Sequence, residues 1–113
     1  MKIQVLIVDD SEVYRLFLRE ALSKEDDIEI VSLASNGRLA LPRGNHYKPD
    51  IVLLDYEMPE MDGLETIPEI KRLSPSSRII MFSAHTTKGA RLTLQALHLG
   101  ADDFVTKPFS REV

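Results

Sequence analysis

At 113 residues the chain has the size of one domain, able to bury roughly two thirds of its unfolded surface around a single core. Its 14 basic and 18 acidic residues leave a net charge of −4 with no long block of either sign, which argues against a nucleic-acid-binding surface. The lack of cysteine excludes a disulfide framework and a thiolate metal site and suits a reducing cytosol, and the opening MKIQVLIVDD is too short an apolar run for a signal peptide or a membrane span.

The first apolar run, Ile3 to Val8, is rich in β-branched residues and reads as a buried strand ending in Asp9-Asp10. Ser11 is then an N-cap for a helix carrying Val13, Leu16, Phe17 and Ala21 at helical spacing. A second strand is expected over Ile28 to Ala34, followed by a helical segment, Gly37 to Lys48, that contains Pro42 and Gly44. The third run, Ile51 to Leu54, leads directly into Asp55, and the helical segment Leu64 to Leu73 contains Pro68. An interior proline costs about 3 kcal/mol, so both of these helices are expected to be broken or kinked. Ile79 to Phe82 is a fourth strand closed by Ser83, and Lys88 to Leu99 is a helix bearing Ala90, Leu92, Leu94 and Leu97 that Gly100 stops. Phe104 to Val105 is a fifth, short strand before Thr106-Lys107-Pro108.

Strands alternating with helices imply a parallel sheet covered on both faces, because a parallel crossover needs a helix and doubly buried strands read as continuous apolar runs. In an open doubly wound sheet, ligands sit beyond the carboxyl ends of the strands, where strand order reverses. The residues closing the strands are Asp9, Asp10, Asp55, Ser83 and Lys107. Three carboxylates brought together repel unless a cation lies among them, and a hard divalent ion such as magnesium, held by carboxylates, waters and a phosphoryl oxygen, meets that need. Lys107 adds a single positive charge on the other side, so the site suits an anion with several oxygens. Taken singly, each residue also has a plain reading. Asp9-Asp10 is then a solvated strand end before a helix cap, Asp55 a strand stop, Ser83 a turn residue and Lys107 a surface lysine.

Several rival chemistries fail on spacing. A calcium-binding helix-loop-helix needs glycine at the sixth loop position, and counting from Asp55 that position is Glu60. No glycine-rich loop with Lys-Ser/Thr is present for nucleotide hydrolysis, and no serine-centred nucleophile elbow for a hydrolase. A phosphatase using an aspartyl phosphate usually carries a second aspartate two residues on, where this chain has Glu57.

The ordered set Asp9-Asp10, Asp55 followed by Met58-Pro59-x-Met61-Asp62-Gly63, Ser83-Ala84 and Lys107-Pro108 resembles the response-regulator receiver domains of two-component signalling. The resemblance spans essentially the whole chain, 1–113, as one receiver domain. It implies a flavodoxin-like, doubly wound five-stranded parallel sheet in the order 2-1-3-4-5. Asp55 is then the phosphoacceptor, phosphorylated by a sensor histidine kinase. Asp10, Asp55 and the backbone carbonyl of Glu57 are magnesium ligands, with Asp9 acting through water. Lys107 and Ser83 bind phosphoryl oxygens, and Ser83 and Phe104 form a switch. Glu57 and His85, flanking the approach of attacking water, are candidates for tuning phosphoryl lifetime. Pro59 and Gly63 shape the loop, while Glu60 and Asp62 are little more than solvated turn residues. His46 and His98 face solvent or are partly packed.

DYEMPEMDGLE, TKGARLTLQALHLGADDFVTKP and VLIVDDSEVYRLFLREAL further resemble the N-terminal receiver of chemotaxis protein-glutamate methylesterases, as does glutamate at position 57. That likeness implies a cytoplasmic protein with a chemotaxis-type kinase as partner and a C-terminal esterase domain as output, with no nucleic acid or membrane bound by this segment. A stand-alone receiver, a DNA-binding response regulator and an aspartyl-phosphate phosphatase-like enzyme are the alternatives. A receiver adds a fifth helix after Lys-Pro. Here only Phe109-Ser110-Arg111-Glu112-Val113 remains, too short to be helical, so the last helix is expected to be missing or truncated and the chain to be part of a longer protein. Apolar surface left open at the last strand would invite dimerisation or domain swapping.

Overall fold

The computed structural model describes residues 1–84 and 89–107, with only the backbone at 89 and 90. His85, Pro108 and the five-residue segment Phe109 to Val113 lie outside the described residues. Five strands, β1 (Ile3–Val8), β2 (Ile28–Ala34), β3 (Ile51–Asp55), β4 (Arg78–Ser83) and β5 (Asp103–Thr106), alternate with four helices, α1 (Glu12–Ser23), α2 (Gly37–Tyr47), α3 (Gly63–Leu73) and α4 (Gly89–Leu99). All pairings are parallel, and the strand order is β2-β1-β3-β4-β5, the doubly wound arrangement expected.

The two sheet faces hold separate apolar clusters. Val5, Ile7 and Leu53 point toward Leu18 and Leu22 of α1, while Leu6, Val8, Val52, Leu54, Ile79 and Met81 pack with Ala40 of α2, Ile67 and Ile70 of α3 and Ala96 of α4. Both faces of the central strands are therefore buried, which explains why β1 and β3 read as unbroken apolar runs.

Two sequence expectations are corrected. Pro42 and Pro68 do not break their helices: α2 and α3 each run eleven residues through an interior proline. Both prolines sit on the solvent side. On the opposite face of α3, fully buried Ile67 and Ile70 contribute about 1.5–3 kcal/mol each, enough to outweigh the roughly 3 kcal/mol proline penalty. Gly44 is buried against α3, and Lys48 closes α2 in the left-handed conformation, its N–H donating to the Gly44 carbonyl.

The inward face of α1 is also different from the one its apolar spacing indicated. Tyr14, Leu18 and Leu22 turn inward, whereas Val13, Leu16 and Phe17 are exposed. Among the residues of α4 whose side chains are described, Leu92 and Ala96 are buried, and Leu94 and Leu97 face solvent. The stop at Gly100 holds: its φ of 119° is open only to glycine without strain, and the Ala101 N–H reaches back 2.9 Å to the Ala96 carbonyl, satisfying the helix end.

Candidate functional site

The strand order reverses between β1 and β3, and the acidic residues stand at the carboxyl ends of these two strands. Asp9 follows β1 immediately, and Asp55 is the last residue of β3, in register with Phe82 of β4. Oxygens of Asp9, Asp10 and Asp55 lie within 4.8 Å of one another; Asp9 and Asp55 are buried and Asp10 is half-buried. The sequence expectation that these three converge is met by the fold.

Asp9 is held from several directions. The Ser11 N–H donates to its Oδ1 at 2.9 Å, its Oδ2 lies 2.9 Å from Lys107 Nζ, and the Arg15 guanidinium donates to its backbone carbonyl at 2.6 Å. Ser11 caps α1 as expected, accepting from the Tyr14 N–H.

Lys107 was expected across the pocket from the acids. Instead its ammonium sits among them, 2.9 Å from Asp9 Oδ2 and 3.2 Å from Asp55 Oδ1, with its side chain only 1% exposed. Both contacts are close enough for ion pairing, but neither has the direction of a hydrogen bond, so the attraction is mainly that of charge for charge. The ammonium also lies 4.0 Å from the centroid of the Tyr14 ring. Lys107 is placed by the pairing of β5 with β4, its N–H donating to the Ser83 carbonyl at 2.8 Å. Ser83 itself is fully buried at the end of β4, opposite Thr106. Phe104 is half-buried and packs against the core cluster behind the site, paired in register with Met81.

The loop from Asp55 to α3 is more ordered than its acids indicated. Glu57 is exposed two residues beyond Asp55. Glu60 is an exposed turn residue, as expected: its φ is 69°, and the Met61 N–H donates across it to the Pro59 carbonyl at 2.7 Å, forming a three-residue turn. Its carboxylate stands 3.7 Å from Arg38 of α2. Asp62 is the N-cap of α3 in a reciprocal pair with Glu65, whose N–H it accepts at 2.9 Å while Glu65 accepts from the Asp62 N–H at 3.1 Å. The spacing of Asp62 and Glu65 already carried that capping signal. Gly63 is pressed against the strand end: a Cβ there would lie 2.6 Å from the Asp55 carbonyl oxygen and 2.7 Å from Met81 Cε.

His85 lies outside the described residues. His46 and His98 are exposed, the former with its ring T-shaped against that of Tyr47. Tyr14 and Arg15 are the site-lining residues that sequence reading passed over. The available signal was position alone, one helical turn beyond the acidic pair.

Three carboxylates in one pocket offer hard oxygen donors and no nitrogen or sulfur, a set that fits magnesium and does not fit a soft transition metal. An open parallel sheet with three clustered carboxylates and a buried lysine where its strand order reverses defines the chain as a doubly wound α/β protein with an acidic site at its strand ends. The sequence profile of the response regulator receiver domain matches residues 5–113, and the chain belongs to that family. It is 48% identical over 107 residues to a protein-glutamate methylesterase/protein-glutamine glutaminase of Trichodesmium erythraeum (strain IMS101), a match covering 95% of this chain and 30% of that protein. It superposes on the crystal structure of the response regulator domain of Thermotoga maritima CheB with a TM-score of 0.90 at 37% identity, covering 97% of this chain and 81% of that one. The CheX–CheY–BeF3–Mg complex from Borrelia burgdorferi aligns with a TM-score of 0.80 at 35% identity, over 96% of this chain and 81% of that one. The chain thus spans less than a third of the methylesterase relative's length. No helix among the described residues is long and apolar enough to cross a membrane.

Proposed function

We propose that this receiver accepts a phosphoryl group on Asp55 from a phosphohistidine of a sensor histidine kinase and passes the signal to an output domain of the methylesterase type. The observation that carries this reading is the clustering of Asp9, Asp10 and Asp55 oxygens within 4.8 Å, with Lys107 Nζ 3.2 Å from Asp55. The names of the methylesterase relative and of the beryllofluoride complex support it.

In the reaction an Asp55 carboxylate oxygen attacks phosphorus. The phosphorus–nitrogen bond to the donor imidazole breaks, its electron pair stays on that nitrogen, and an acyl phosphate remains on Asp55. Little further covalent chemistry is required, so the protein's contribution is positioning and charge compensation. The Lys107 ammonium, already beside Asp55, pairs with one phosphoryl oxygen, and the Ser83 hydroxyl at the adjoining strand end donates to another. Asp10, Asp55 and the Glu57 backbone carbonyl would hold magnesium, with Asp9 acting through water, and the ion would supply neutralisation of phosphoryl charge. Asp9 suits an outer role because its two oxygens already serve the Ser11 N–H and Lys107. Phosphorylation draws Ser83 toward the phosphoryl group and changes the packing of Phe104, which has no hydroxyl to anchor it outside, so burial of the ring biases the two states. Glu57 and His85 set the lifetime of the acyl phosphate.

This reading places the protein in the cytoplasm, with a chemotaxis-type kinase as partner. Self-association through the β5 region, where Val105 is exposed, is checked by light scattering, which would show a dimer. The decisive experiment is incubation with acetyl phosphate and magnesium, read by intact mass. Wild type gains one phosphoryl group and Asp55→Asn gains none; equal modification of both overturns the assignment.

A further inference from the structure

Tyr14 heads the fully buried side chains by volume among the described residues and is 1% exposed, yet nothing in the phosphoryl-transfer reading uses it. Its place follows from the start of α1. The Tyr14 N–H donates to the capping Ser11 Oγ at 3.3 Å, which fixes the first helical turn beside the acidic strand end. Phe17 meets the ring in a T-shaped arrangement, at a centroid distance of 6.2 Å and an interplanar angle of 84°. Thus held, the ring presents its face to the Lys107 ammonium at 4.0 Å.

Among the described residues, the ionic partners of that ammonium are carboxylate oxygens of Asp9 and Asp55 that attract it without directional hydrogen bonds. Their pull must change during the reaction, because Asp55 exchanges its carboxylate charge for a bulkier phosphoryl group. An aromatic face is a partner of a different kind. It carries negative quadrupole density, does not ionise in the reaction and tolerates small shifts of the cation across it. An aliphatic side chain of similar volume would fill the same space and offer no such attraction.

We propose that Tyr14 is a positioning residue for Lys107: its ring face holds the ammonium at the pocket while its ionic partners change from two carboxylates to a phosphoryl oxygen. Tyr14 makes and breaks no bond. The proposal rests on the assignment of Asp55 as phosphoacceptor, and its test separates the two.

The first measurement needs no phosphorylation. In proton–carbon NMR spectra of the 113-residue chain, the ε-methylene of Lys107 is shifted upfield by the ring current in wild type and Tyr14→Phe, and moves to its ordinary position in Tyr14→Leu. The second is the rate of modification by acetyl phosphate with magnesium. Tyr14→Phe stays within about twofold of wild type and Tyr14→Leu is slowed about fivefold, the scale of one buried cation–π contact. In a Lys107→Ala background, Tyr14→Leu causes no further slowing, because the residue it acts through is gone. If Tyr14→Leu does not fold, Tyr14→Met, whose unbranched flexible side chain fills irregular space, takes its place.

Three results overturn the proposal: an unshifted Lys107 methylene in wild type, equal slowing by the leucine and phenylalanine variants, or undiminished slowing in the Lys107→Ala background. A shifted methylene in a wild-type protein that gains no phosphoryl mass supports the Tyr14–Lys107 contact and overturns the Asp55 assignment instead.

Discussion

Lys107 Nζ stands 2.9 Å from Asp9 Oδ2, with the two side chains 1% and 2% exposed, although they come from opposite ends of the sequence. Burial removes both from the solvent that would otherwise screen them, so this pair and the Lys107–Asp55 pair become charges that need one another.

Replacing Lys107 by methionine keeps much of the side chain's volume and removes its charge, leaving clustered carboxylates without their internal cation. Lys107→Met is expected to lose about 3 kcal/mol of stability in chelator, the scale of breaking a buried ion pair. Millimolar magnesium should restore part of that loss, since an ion that binds only the folded state stabilises it. Urea unfolding with and without magnesium measures the difference, and an equal loss in both conditions contradicts this account of the pocket.

The tight approach of Gly63 to Asp55 couples loop packing to the site. A methyl group at 63 would come within 2.6 Å of the Asp55 carbonyl and 2.7 Å of Met81 Cε, so either β3 or α3 must shift. Gly63→Ala is expected to destabilise by about 1–3 kcal/mol and to slow modification of Asp55 by acetyl phosphate even under conditions where the variant is fully folded. Unchanged kinetics would show that the displacement is taken up by α3 alone.

Asp102 gives stability an acid limb away from the site. Burial, the largest influence, pushes its carboxyl upward, but the Ile79 N–H at 2.8 Å and the Lys71 ammonium at 3.1 Å hold it below the ordinary aspartate value. With a folded value below the unfolded one, the contribution is complete above about pH 4 and is lost as pH falls through the folded value. Asp102→Asn should therefore lower the urea midpoint at neutral pH, by an amount in the range of about 0.2–1 kcal/mol typical of a partly exposed pair. The two proteins should converge as pH falls below the folded value. A constant difference across that range would assign the effect to packing.

A stability control lies at the opposite end of the sheet. Ser77 Oγ donates to the Pro49 carbonyl and lies 2.6 Å from Ser74 Oγ, with both serines fully buried. Ser77→Ala leaves buried acceptors unserved and is expected to destabilise by about 1–3 kcal/mol, while the rate of acetyl-phosphate modification of the folded protein stays as in wild type. A slowed rate would reveal coupling across the length of the sheet.

Much of the fold was legible because its signals are local. The bounds of β1 and β2 follow directly from their β-branched runs, and Ser11 and Gly100 mark helix ends through short-range hydrogen bonds and backbone freedom. The prolines misled for the converse reason. Their local penalty is real, but the burial of Ile67 and Ile70 is a long-range term that no window around Pro68 contains. The α1 face misled in the same way: Val13, Leu16 and Phe17 are as apolar as Tyr14, Leu18 and Leu22, and only the position of the sheet chooses between the two stripes.

What the sequence by itself determined is the inventory of strand ends: an acid pair after the first run, one aspartate after the third, a hydroxyl after the fourth and a lysine after the fifth. Each is announced where a continuous apolar run meets a polar residue, a contrast carried by neighbouring positions. The tertiary structure alone decided how these groups meet. Lys107 entered between Asp9 and Asp55, and Tyr14 came under its ammonium, because parallel crossovers bring the β1, β3 and β5 ends to one edge of the sheet and α1 packs beside them. Such distances are set by burial and crossover geometry across the whole sheet, and no local pattern encodes them.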